Sequence, residues 1–173
     1  MDRLKWMGVF AFSGILGFTN VVSAADELPR EATLPLALAI KAAAAAVEKC
    51  TKDGYKVSAA VVDRAGVLKA LMRADGAGSH TTDSSAKKAY TAASLKRTTS
   101  ELGELVVKNP HLQALRDMNE KTLILGGGLP IEIGGEVVGG IGVGGAPGTH
   151  LDDACAQAGL DSIGAAPKAQ IGK

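Results

Sequence analysis

"GGGLPIEIGGEVVGGIGVGG", residues 126–145, decides the fold. Ile131-Glu132-Ile133 alternates as a strand does, Gly134-Gly135 suits a tight turn, and Glu136 to Val143 returns as a second strand, so the stretch predicts a β-hairpin. Its glycines invite a phosphate-loop reading, which fails on mechanics. Gly126-Gly127-Gly128 runs into Leu129-Pro130, with no Lys-Ser/Thr and no helix to follow. Glycines along one face of a strand instead let a helix, a second subunit or a flat ligand approach the backbone.

Working outward, "YKVSAAVVDRAGVLKALMRADG" (55–76) reads as an earlier hairpin. Val57 to Val62 forms one strand, Asp63-Arg64-Ala65-Gly66 the turn, and Val67 to Arg73 the antiparallel partner, with Gly66 at a positive-φ position. Helices are expected over 34–52, 82–95 and 99–108, with a short one near 110–118 and a last one from Thr149. In the first, Thr33 is the expected cap, and Leu36, Ile40, Ala43, Val47 and Cys50 form the expected inward stripe. Thr98 or Thr99 caps the third and Pro110 ends it. In the last, Thr149 and Asp152 have capping-box-like spacing, and Leu151, Ala154, Cys155 and Ala158 are expected to face inward. Adjacent strands joined by tight turns point to an α+β fold. Its antiparallel β-sheet is built from β-hairpins and covered by helices, unlike a Rossmann unit.

The chain begins "MDRLKWMGVFAFSGILGFTNVVSAADE". Arg3 and Lys5 precede an apolar run from Trp6 to Phe18, and Val22-Ser23-Ala24 supplies small residues, the three parts of a secretory signal. The run is short of the roughly 20 residues of a membrane span. The expected organisation is a signal peptide over 1–24 and a single domain over 25–173, located in the periplasm or outside the cell. Of 19 Lys and Arg and 18 Asp and Glu, Asp2, Arg3 and Lys5 leave with the leader, and the remainder balance. A balanced surface offers no electrostatic attraction for nucleic acid or an anionic membrane, so neither nucleic-acid binding nor stable membrane insertion after cleavage is expected. All three phenylalanines and the one tryptophan lie in the leader, which leaves a core of Ala, Val, Leu and Ile.

Chemistry concentrates between the hairpins. His80 stands just before the 82–95 helix, with Thr81 or Thr82 as cap, and is either a metal ligand, a substrate contact or a solvent-facing loop residue. Asp83 and Lys87 are spaced for an i,i+4 ion pair. Lys88 follows, and Tyr90 can pack its ring while directing its hydroxyl into a pocket. Arg73, closing the first hairpin, can meet a carboxylate ligand or form an exposed salt bridge. His111 and His150 are scattered, so no zinc site forms by spacing. A Gly-x-Ser-x-Gly elbow and a Cys-x-x-Cys-His run are both absent.

The stretch "VSAAVVDRAGVLKALMRADGAGSHTTDSSAKKAYTAASLKRTTSEL" (57–102), with "GGGLPIEIGGEVVGGIGVGGA" and "DDACAQAGL" (152–160), resembles the GlcG/HbpS-like haem-binding protein family, related to the C-terminal domain of PduO-type proteins. The resemblance covers about 33–165. It implies an antiparallel sheet covered by helices and assembly into homo-oligomers. For some members it also implies non-covalent haem in a helix–sheet groove. Carried over, it places Lys88 and Tyr90 on the family's helix and His80 on the preceding loop. His80 is then the expected iron ligand, with His111, His150 or Tyr90 as the alternatives, and Arg73, Lys87 or Lys88 facing the propionates. The resemblance also suggests that the first and last helices cover one sheet face, where Cys50 and Cys155 either form a disulfide or remain two buried thiols.

The function expected is therefore that of an exported haem-binding protein in scavenging, storage or sensing. An enzyme acting on a small hydroxy or carbonyl acid and a non-haem small-ligand-binding or structural module are the alternatives. Protein recovered from the periplasm or medium should begin at Ala25 by intact mass; a soluble product retaining residues 1–24 would refute the leader.

Overall fold

The computed structural model describes residues 28–165, so the expected leader lies outside the described residues. Helix α1 (Leu36–Lys52) is followed by β1 (Ser58–Asp63), β2 (Leu68–Arg73), α2 (His80–Leu95), α3 (Thr99–Lys108) and a 3-10 helix (Pro110–Arg116). Strands β3 (Gly128–Ile133) and β4 (Glu136–Gly144) and helix α4 (Thr149–Ser162) complete the order. The four strands pair antiparallel in the order β2-β1-β4-β3, which joins the two hairpins through their middle strands. This is the α+β architecture expected.

The first turn closes through Asp63, whose Oδ1 accepts from the backbone N–H of Ala65 and Val67, with Gly66 at φ 78°. Thr98 and Glu101 form a full capping box at the start of α3. Helix α2 starts two residues earlier than its hydrophobic pattern suggests, so His80 belongs to its first turn. There the hydroxyls of Thr81 and Thr82 donate to the carbonyls of Gly78 and Ser79 and accept from no backbone N–H of the first turn.

Alternation divides the sheet into two faces. Ala59, Val61, Leu129, Ile131, Ile141 and Val143 pack with α1 and α4, while Ala60 and Val62 meet Ala89 and Ala93 of α2. On the α2 side β4 presents Gly140 and Gly142. A Cβ there would lie 2.3 Å from the Ala89 carbonyl oxygen and 2.1 Å from that of Ser85. Of the three occupants considered for the glycine face, a helix backbone takes the place.

Helix α1 turns a different side inward than its large residues predict. Leu36 and Ile40 are exposed, and Ala39, Ala42, Ala43, Ala46 and Cys50 are buried. Contact with α4 is too close for bulk: a Cβ on Gly159 would sit 2.7 Å from the Ala42 carbonyl oxygen. Pro35, not Thr33, holds the N-cap position, without a side-chain cap. The α4 stripe is rotated as well. Asp152, Cys155, Ala156, Gly159 and Leu160 are buried, Ala154 is exposed, and Leu151 and Ala158 are half-buried. Gly148 is the N-cap, and Asp152 turns away from the capping role because its carboxylate serves a buried partner.

Cys50 and Cys155 are joined, with Cα atoms 5.6 Å apart and both residues buried. The bridge staples α1 to α4 across a separation of 105 residues. A loop of that size constrains the unfolded chain by about 4–5 kcal/mol in the chain-entropy picture. Cys50→Ala/Cys155→Ala should accordingly lower unfolding stability by about 3–5 kcal/mol in denaturant titration while far-ultraviolet CD keeps its native shape. A loss below about 1 kcal/mol would show that the bridge adds little to close packing alone.

Candidate functional site

A cleft of about 480 Å³ opens between the outward side of α2 and the β1–β2 hairpin. Val62, Ala65, Val67, Leu68 and Ala86 give it apolar walls, and Asp83, Lys87, Tyr90 and Lys121 supply its polar groups. The volume falls within the range of small-molecule sites. Residues 83, 87 and 90 recur at spacings of four and three, so one helix face presents them together.

Tyr90 is the best-positioned of these. Its ring lies against Gly66, where a Cβ would come within 2.6 Å of Cδ2, so the positive-φ turn and the ring need glycine for separate reasons. The Lys121 ammonium stands over the ring, 5.8 Å from its centroid. The Tyr90 hydroxyl has no hydrogen-bond partner among the described residues, leaving it available to a ligand. Lys87 pairs with Asp83 at 3.3 Å, as the spacing predicts, in an exposed and weak interaction.

His80 is exposed and is not part of the cleft wall. It occupies the same helix face as Asp83 and Lys87, one turn nearer the N-terminus. Arg73 forms no salt bridge among the described residues; its guanidinium donates from Nε (2.9 Å) and Nη2 to the Ala77 carbonyl and so braces the turn that leads to His80. His111 and His150 are exposed, and the described residues contain no cluster of three or more metal-ligating side chains.

Lys88 requires a correction. It is about 2% exposed, and its Nζ donates to Asp152 Oδ2 at 2.8 Å and to the Val143 carbonyl at 2.9 Å. One residue around the helix from Lys87, it points into the protein and cannot reach a ligand in the cleft. Two roles escape sequence reasoning, that of Asp152 behind the cleft and that of Lys121 in its wall. Asp152 carried a signal in its neighbours, since it shares a helix side with buried Cys155 and Ala156. Lys121, in the connection after the 3-10 helix, carried none.

Comparison with known proteins places this geometry. A family model described as "Haem degrading protein HbpS-like" matches residues 34–161. The chain belongs to the HbpS-like family. A double mutant of HbpS from Streptomyces reticuli superposes with a TM-score of 0.75 at 43% identity, over 84% of this chain and 97% of that one. The PduOC:heme complex gives 0.72 at 27% identity, over 79% and 99%. An uncharacterized 15.0 kDa protein from the dhaT-dhaS intergenic region of Citrobacter freundii is 36% identical over 115 residues, 66% of this chain and 81% of that protein.

Behind the cleft, this HbpS-like fold holds α2 and α4 together through ions. Asp152 Oδ1 accepts from the Ala146 N–H, and the neighbouring Asp153 accepts from the Gly127 N–H and the Ser100 hydroxyl. Burial pushes the Asp152 carboxyl above its ordinary value, against the opposing hydrogen bond and charge of Lys88. The folded state therefore binds this proton more tightly than the unfolded chain. Its contribution to stability falls as pH rises from the ordinary Asp value through the raised one. Removing one partner strands the other: Lys88→Met or Asp152→Asn should each cost about 3–5 kcal/mol. The Lys88→Met/Asp152→Leu double variant should lose far less than the sum, with a flatter stability profile across that acidic window. Additive losses in denaturant titration would show that the two ions act independently.

Proposed function

We propose that this chain is an exported haem-binding protein of the periplasm or extracellular space, with haem held non-covalently in the α2–hairpin cleft. The observation carrying the proposal is the composition of that cleft: apolar walls for a flat macrocycle, Lys87 and Lys121 for its carboxylates, and His80 on the same helix face. A neutral imidazole is a good donor to haem iron, and haem brings a redox-active metal that the polypeptide lacks. The arrangement fits the ligand that the PduOC:heme complex carries. Arg73 acts as a positioning residue, bracing the turn before His80. The buried disulfide is in keeping with an oxidising compartment. Assembly into a homo-oligomer is part of the same proposal, because Leu68, Leu71 and Met72 stand exposed on the edge strand β2.

The polar groups of the cleft also suit a small hydroxy or carbonyl acid, the second reading. Hemin added to the mature protein should produce a Soret band. His80→Ala should abolish or strongly shift that band while leaving far-ultraviolet CD unchanged. An unchanged spectrum and affinity would remove His80 from the iron site. No Soret band in the wild type, with a small acid protecting the protein against thermal unfolding, would replace the haem proposal by the second reading.

A further inference from the structure

Lys121 and Lys87 reach one cleft from different parts of the chain, and neither is committed to the fold. Lys121 pairs with no carboxylate among the described residues and meets only the face of Tyr90. Lys87 shares its charge with Asp83, whose side chain is 70% exposed, so water competes for both ions. The position of Lys121 is nevertheless built. The Leu123 N–H donates to Thr91 Oγ1 at 2.8 Å, tying this connection to α2, and Arg116 Nη1 at the end of the 3-10 helix donates to the Ile124 carbonyl at 3.2 Å. Asp83 is the one acidic group among the described residues that line the cleft, which leaves an excess of positive charge above apolar walls.

We infer, resting on the haem-binding function proposed above, that Lys87 and Lys121 form a two-cation clamp that selects ligands by their carboxylates, so that the cleft takes carboxylated tetrapyrroles with or without iron. An entering carboxylate gains charge-assisted contacts without breaking any buried interaction. The Tyr90 ring, set against Gly66, gives the planar body a rigid aromatic contact beside the two cations. Selection by charge at an open cleft depends on ionic strength, whereas coordination by His80 does not.

Metal-free protoporphyrin IX and its dimethyl ester separate the two contributions, because they share a ring and differ in charge. Protoporphyrin IX should bind the wild-type protein more tightly than the ester and lose affinity as salt is raised. Lys121→Gln and Lys87→Gln should each weaken its binding about tenfold, the scale of one charge-assisted contact, and leave ester binding unchanged. Equal affinity for acid and ester, equal weakening of both in Lys121→Gln, or no binding of protoporphyrin IX would each overturn the clamp. A hemin titration run alongside judges iron coordination separately. Hemin bound with the spectrum of the free ligand would refute coordination by the chain and keep the clamp, whereas no binding of hemin would overturn the clamp's claim to tetrapyrroles with iron.

Discussion

The seating of α2 on the glycines of β4 and β3 is the constraint on which the rest of the structure depends. Cβ atoms at Gly128, Gly140 and Gly142 would fall between 2.1 and 2.5 Å from carbonyl oxygens of α2, closer than any side chain permits. Glycine here is a matter of distance between two backbones. Because the helix sits so low, its inner side is lined by Ser85, Ala89, Ala92 and Ala93, and larger groups are driven outward or toward its flanks. The outward side then meets the β1–β2 hairpin, and the cleft is the space left between them. A methyl group on Gly142 would lift α2 and alter both the cleft and the buried ion pair behind it.

The opposite sheet face follows the same economy of volume. Helices α1 and α4 touch through Ala42 and Gly159, the disulfide joins them one to two turns away, and Val and Ile of the strands fill what remains. Aliphatic side chains are enough for a core when helix and sheet approach this closely, because dispersion contacts depend on separation more steeply than on size. Such packing tolerates little change: enlarging an alanine forces strain, and removing a valine leaves a gap that small neighbours cannot fill.

This arrangement explains which features were legible in the sequence. Both hairpins, the bounds of α3 and the class of fold rest on local rules of alternation, turn glycine and capping, and those rules held. The buried side of α1 did not yield to such rules. Hydrophobicity favours Leu36 and Ile40, but the gap to α4 admits only alanine, and sequence periodicity carries no information about that gap. Lys87 and Lys88 pose a similar problem. They stand 100° apart on a helix with alanines and hydroxyls all around it, and the partner that draws Lys88 inward is Asp152, 64 positions away. Tyr90 was legible as a pocket residue. Lys121 was not, since its place is set by the tertiary anchors of Leu123 and Arg116.

The two adjacent lysines of α2 differ in their commitment to the fold. Desolvating Lys88 and Asp152 costs free energy that their attraction and surrounding hydrogen bonds offset, so the pair contributes geometry more than net stability. What it holds in place is considerable: the Val143 carbonyl and the Ala146 N–H on either side of the bend between β4 and α4. Lys87, one position earlier, stays in water and gains little from Asp83. Its charge, and that of Lys121, can therefore be redirected to a ligand at almost no cost to the fold. Rigidity belongs to the Gly66–Tyr90 contact and the ions behind the helix, while adaptability belongs to the two exposed ammonium groups. A site built this way offers an incoming ligand a fixed planar surface, so that less ordering free energy is lost on binding than a wholly mobile site would require.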